Sequence, residues 1–171
     1  MPHALGPADL TAPPDAAAYA FTRRTWVPAA PAALFDLISD VSMISTWSPG
    51  AHDVTYDDGD GPWPGARFRG RNRRGEREWG SRSRVVESLP GSVFAFVVDV
   101  VVRWRWTLRA DGTGTVVEQS WQLLRLDPVL GGTRQEIDAL RDHMAADVED
   151  TLLALARWIA ERGGTAGTAG T

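Results

Sequence analysis

The sequence contains no cysteine and no lysine; all eighteen of its Lys-plus-Arg residues are arginine. The first absence removes disulfides, thiol nucleophiles and cysteine-ligated metals together. The second removes Schiff-base chemistry and the lysine of a Walker-type phosphate loop. Histidine is scarce, with only His3, His52 and His143, too few for a His-rich metal centre. No run is long and apolar enough to span a membrane, and the first residues lack a basic start followed by an apolar stretch. No Gly-rich phosphate loop is present, and Gly112-Thr113-Gly114 reads as a hairpin turn. The expectation is a cytoplasmic protein with no membrane insertion, no metal and no cofactor.

The 171 residues suit one domain, and the 43% hydrophobic content allows a substantial core. The formal net charge of -4 argues against a polyanion binder by bulk charge. Eight tryptophans should dominate whatever interior exists. Residues 1–17 are rich in Ala and Pro and read as a flexible arm, and 163–171 as a flexible small-residue tail. The structured domain is then 18–162.

Within it, 18–27 reads as a strand and 31–40 as a short helix, with Pro31 at its first position and Leu34, Phe35 and Ile38 on one face. A second helical turn, 42–47, stops at Ser48-Pro49-Gly50. A short strand at 53–56 precedes strands at 66–73, 76–87, 92–98, 102–109 and 114–124, separated by turn residues except near Asp99. That join reads as a bent continuous strand or a three-residue loop. The last element is a long helix, 134–162. Thr133 and Glu136 form an S/T-x-x-E capping box, Ile137 to Ile159 carry an apolar stripe, and Gly163-Gly164 is expected to end it. A run of antiparallel strands with one apolar face needs cover, and only this helix is large enough to supply it. The fold class is α+β.

Eight of the eighteen arginines fall within residues 65–84. A hairpin centred on Arg74-Gly75 pairs Asn72 with Arg77, Gly70 with Trp79 and Phe68 with Ser81. The opposite face then holds Arg67, Arg69, Arg71, Arg73, Arg82 and Arg84, with Glu76 and Glu78 as salt-bridge partners. Rings and cations therefore lie on opposite faces, unlike a single-strand nucleic-acid binder, which interleaves them; no nucleic-acid partner is expected. Arg77 is the exception. It falls on the inner face as a pocket cation or as a rim residue reaching back to water.

Alternation assigns to the inner face Phe68, Gly70, Asn72, Arg77, Trp79, Ser81, Ser83 and Val85, then Phe94 and Phe96. Trp104, Trp106, Gln119 and Trp121 follow from the last strands. Met144, Val148, Thr151 and Arg141 face them from the helix, and Trp47 borders the space. Small residues at Gly70, Ser81 and Ser83, where a filled core would want bulk, favour a cavity for a ligand with rings and some oxygens. Catalytic constellations are weak. His52 reads as a rim residue and a candidate base, while His143 and Asp147, four apart on the helix, read as a surface pair.

The segments Trp47-Ser48-Pro49, Gly65 to Gly75 (GARFRGRNRRG), Arg103-Trp104 and Ser120-Trp121 resemble actinobacterial members of the START/Bet v 1-like (SRPBCC) superfamily, in its polyketide cyclase/dehydrase-type subgroup. The likeness covers about 18–162. It implies a helix-grip fold, with about seven curved antiparallel strands around the C-terminal helix, two short helices after the first strand and a deep hydrophobic cavity. The expected partner is a hydrophobic small molecule, and the expected state is a monomer or homodimer. Two departures stand out: many relatives carry Glu at the position of Gln119, and the join near Asp99 is shorter than usual. The first functional expectation is binding of an aromatic or polyketide-like molecule. If the protein is a cyclase, Asn72, Gln119 and Arg141 would polarise carbonyls. The alternative is a non-enzymatic carrier or sequestering protein, including self-resistance. A weaker one is an interaction module using the arginine face.

Overall fold

The computed structural model describes residues 4–12 and 14–165. A short helix, α1 (Pro7–Thr11), precedes β1 (Ala20–Val27), α2 (Pro31–Ser39), a 3-10 turn (Val41–Met43) and α3 (Ile44–Trp47). Six strands follow: β2 (Ala51–Tyr56), β3 (Arg67–Arg74), β4 (Arg77–Leu89), β5 (Val93–Val98), β6 (Val102–Asp111) and β7 (Gly114–Leu123). The chain closes with α4 (Arg134–Thr165). The seven strands form one curved antiparallel sheet, as the resemblance predicts, and their order is β1-β7-β6-β5-β4-β3-β2. Helices α2 and α3 carry the chain from one edge strand, β1, to the other, β2.

The α4 capping box forms as predicted: Glu136 N donates to Thr133 Oγ1 at 3.2 Å, and Glu136 Oε2 accepts from Thr133 N at 3.1 Å. The helix does not stop at Gly163-Gly164 but runs through both to Thr165, 32 residues in all. At about 1.5 Å per residue it is roughly 48 Å long, enough to cross the sheet. The tail beyond 165 lies outside the described residues. The first 17 residues, expected to be a flexible arm, are described from residue 4 except for residue 13. They include α1, an Ala4–Thr133 bridge and an Arg134–Asp9 ion pair at the start of α4.

The arginine hairpin keeps its predicted faces but not its predicted register. Its loop is Gly75-Glu76, so Phe68 pairs with Ser83, Gly70 with Ser81, Asn72 with Trp79 and Arg74 with Arg77. Gly75 supplies the left-handed backbone the loop needs, at φ 61°. A shift of two residues preserves every inward and outward assignment, because side chains alternate with period two. Glu78, rather than Glu76, becomes the outer anchor, 2.5 Å from Arg73 and 3.3 Å from Arg71.

The join near Asp99 is the three-residue loop Asp99-Val100-Val101, since Val98 pairs with Val102. Asp99 (φ 47°) and Val100 (φ 56°) are both left-handed without being glycine. Asp99 offsets its cost by bonding β4: its backbone N donates to Arg82 O at 2.8 Å, and its Oδ1 accepts from Arg82 N at 3.0 Å.

The apolar stripe of α4 meets two separate hydrophobic clusters. Ile137 joins Tyr19, Trp121, Leu123 and Leu126 at one end. Val148, Leu152, Leu155 and Ile159 join Leu34, Phe35, Phe94 and Trp106 toward the other. Leu140 and Met144 lie between Ile137 and Val148 on the same stripe, and there the helix and sheet do not close completely.

Candidate functional site

A cavity of about 530 Å³ occupies that gap. Its wall is the inner face of β3 to β7, its cover is α4, and α3 with residues 127–130 borders the opening. Of the residues predicted to face a ligand, Trp47, Phe68, Gly70, Asn72, Arg77 and Trp79 all line it. So do Ser81, Ser83, Phe96, Trp104, Trp106, Gln119 and Trp121, with Met144, Val148 and Thr151 from the helix.

The rings brace one another. Phe68 meets Phe96 edge-on with centroids 5.0 Å apart, and Trp121 stacks on Phe21 at 5.5 Å. Trp47 meets Trp158 edge-on at 6.1 Å, which holds α3 against α4. Gly70 is tight as well as permissive: a Cβ there would come within 3.1 Å of Val54 Cγ2. Its missing side chain therefore admits β2 as much as any ligand.

Polar groups are few and placed by the strands. Asn72 Nδ2 donates to Ser81 Oγ at 2.9 Å. Ser83, Gln119 and Thr151 are buried, and Gln119 Oε1 has no hydrogen-bond partner among the described residues. Native structures rarely leave a buried acceptor unsatisfied without a reason.

Three predicted residues lie elsewhere. Arg141 is held outside the cavity, donating to Ala18 O at 3.2 Å and to Asp142 at 2.9 Å; the helical wheel placed it near the stripe, but these partners turn it toward β1. His52 pairs with Arg71 on the outer face, because Ala51 takes the inner position opposite Asn72. Phe94 is buried against Phe35, edge-on at 6.3 Å, as core beneath α2. The tryptophans also divide: Trp26, Trp63 and Trp79 are exposed, so the interior rests on the remaining five. Trp79 sits at the hairpin tip under the Arg77 guanidinium, 5.3 Å from its ring centroid.

The sequence reading missed the residues at the opening. His143 and Asp147, expected as a surface pair, both line the cavity, with His143 Nε2 3.4 Å from Asp147 Oδ2. Burial raises the Asp147 carboxyl above its ordinary value, partly countered by His143. Arg74, Leu140, Asp127, Val129 and Leu130 line it too. The i, i+4 spacing of His143 and Asp147 was the available signal; only the position of the hairpin tip shows that the pair faces an opening. No group of three or more His, Cys, Asp or Glu among the described residues is placed to hold a metal ion, and no described helix is long and apolar enough to cross a membrane.

Solved structures share this architecture. The polyketide cyclase-like protein Cgl2372 from Corynebacterium glutamicum is 27% identical over 89% of this chain and 97% of its own, with a TM-score of 0.62. The di-domain ARO/CYC StfQ of the steffimycin biosynthetic pathway aligns with 87% of this chain and 53% of its own, at 16% identity and a TM-score of 0.67. Ara h 8.0201 aligns at 13% identity over 84% and 98%, with a TM-score of 0.62. No curated protein matches the chain. The family described as polyketide cyclase / dehydrase and lipid transport matches residues 19–159, and with the helix-grip fold and its cavity in place, the chain belongs to that family.

Proposed function

We propose that this protein holds a hydrophobic aromatic or polyketide-like small molecule between the sheet and α4. The observation that carries the reading is the cavity: about 530 Å³, walled by Phe68, Phe96, Trp104 and Trp121, with polar groups at only a few points. Its size falls within the range of small-molecule sites, and sparse polar groups among rings suit a ligand that is mostly apolar with a few oxygens. Tryptophan fluorescence tests it. Titration with hydroxyanthraquinones and related aromatic polyketides should change the emission saturably; no response across such a panel would count against the reading.

The site also supports a second reading, in which the bound molecule reacts. His143 and Asp147 put a proton acceptor and a carboxylate beside the opening, and Asn72 and Gln119 put amide groups inside. Holding a poly-ketone chain folded would then supply much of the rate, with the amides as partners for developing enolates. The ARO/CYC proteins StfQ and BexL share the fold, which makes cyclisation the reaction to try first. Turnover of a poly-β-keto substrate, measured for wild type, Asn72→Ala, Gln119→Ala and His143→Ala, separates the two readings. Binding without product identifies a carrier.

A further inference from the structure

The hairpin tip places two arginines directly opposite each other at the cavity. Arg74 ends β3, Arg77 begins β4, and the two are cross-strand partners on the inner face. Like charges in that position repel. A counter-ion from the protein would relieve the repulsion, but neither arginine forms an ion pair with a carboxylate among the described residues. The acidic groups at the opening make their direct contacts elsewhere. Asp127 is 2.8 Å from Arg125 and caps Val129 N at 3.0 Å; Asp147 sits 3.4 Å from His143 and feels Arg74 only through its field, without a contact of ion-pair length. Glu78 is held by Arg73 and Arg71 on the outer face.

Arg77 is nevertheless held in place. Arg77 donates to Val129 O at 3.3 Å, from the hairpin tip to the segment before α4, and lies over the Trp79 ring. Arg74 is half-buried. Two guanidiniums with unused donors at the edge of an apolar cavity, Arg77 oriented by Val129 and Trp79 and Arg74 half-buried opposite it, form a fork for an anionic oxygen group. We propose that Arg74 and Arg77 form a headgroup site, so that the ligand is an amphiphile: rings among Phe68, Trp104 and Trp121, and a carboxylate or phosphate at the opening. The inference rests on the cavity-binding reading and narrows its ligand to anions.

Calorimetric titration with three matched probes tests it: naphthoate, naphthyl phosphate and the neutral naphthamide. Wild type should bind one or both anions about tenfold or more tighter than the amide, as charge-assisted hydrogen bonds allow; the tighter of the two anions identifies the headgroup. In the Arg74→Gln/Arg77→Gln variant the anions should fall to the affinity of the amide. An unchanged thermal midpoint and near-ultraviolet tryptophan signal in the variant report that the fold and cavity are intact. Equal affinity of wild type for anions and amide, or an anion preference that survives in the variant, overturns the headgroup site while leaving the cavity reading in place. Failure of all three probes to bind overturns both.

Discussion

Asn72 and Ser81 are joined by a 2.9 Å hydrogen bond, Nδ2 to Oγ, across β3 and β4 inside the cavity. They are diagonal neighbours, since Asn72 pairs with Trp79 and Ser81 with Gly70. Removing either partner strands the other in a half-buried place, at a cost of about 1 kcal/mol. Asn72→Ala and Ser81→Ala should each lower stability by that amount in urea unfolding. The double variant should cost less than the sum, because the second change has nothing left to break. Strict additivity would show that the bond contributes nothing.

Gln119 makes the opposite prediction. Its buried Oε1 has no partner among the described residues, so the amide is a cost to the fold. Gln119→Leu should leave stability unchanged or raise it by about 1 kcal/mol, because it replaces an unsatisfied acceptor with an apolar group of similar size. A loss of more than about 1 kcal/mol would mean that the amide is satisfied within the fold.

These two residues also show what the sequence carries. Which face of a strand a residue occupies follows from alternation, and Phe68, Trp79 and Trp121 fix it; hence the wall of the cavity was legible. Register along the strand was not, because sliding the hairpin by two residues leaves every face unchanged. The split of α4 between two clusters was invisible as well, since Leu140 and Met144 continue the stripe without a break. Arg141 and His143 flank that stripe, and a helical wheel cannot say which flank meets an opening. That depends on where the hairpin tip lies, a tertiary fact. Phe94 shares the inner face with Phe96, but only the path of α2 decides that it is core and not wall.

Glu87 gives a pH dependence of known sign. It accepts from Arg103 at 2.6 Å and Arg105 at 2.9 Å on the outer face. The hydrogen bond from Arg105 is the main cause, with Arg103 assisting against burial, of a carboxyl held below its ordinary 4.5. Because the folded value lies below the unfolded one, the contribution is complete above the ordinary carboxylate range and is lost as pH falls through the folded value. The residue is about one-third exposed, so screening keeps the effect within about 1 kcal/mol. Glu87→Gln should cost up to that much at neutral pH and less in acid. An equal cost at both would exclude the ion pairs as its source.

Val100 is an exposed β-branched residue at φ 56°, a conformation that crowds Cβ against the backbone at about 1–2 kcal/mol. Asn tolerates it better. Val100→Asn should raise stability by about 0.5–1 kcal/mol, seen as a higher thermal midpoint, without altering the cavity. A lower midpoint would show that Val100 makes a contact that outweighs its strain.

The central claim is that an aromatic molecule enters the gap between α4 and the sheet, and Met144 is a reporter placed there. It lines the cavity, whereas Met43 packs against the core cluster that holds α2. With methyl-13C methionine in the protein, a hydroxyanthraquinone should move the Met144 methyl resonance by ring-current shift and leave Met43 nearly in place. A Met144 methyl that does not move while fluorescence or calorimetry reports saturable binding would place the ligand elsewhere and contradict the account.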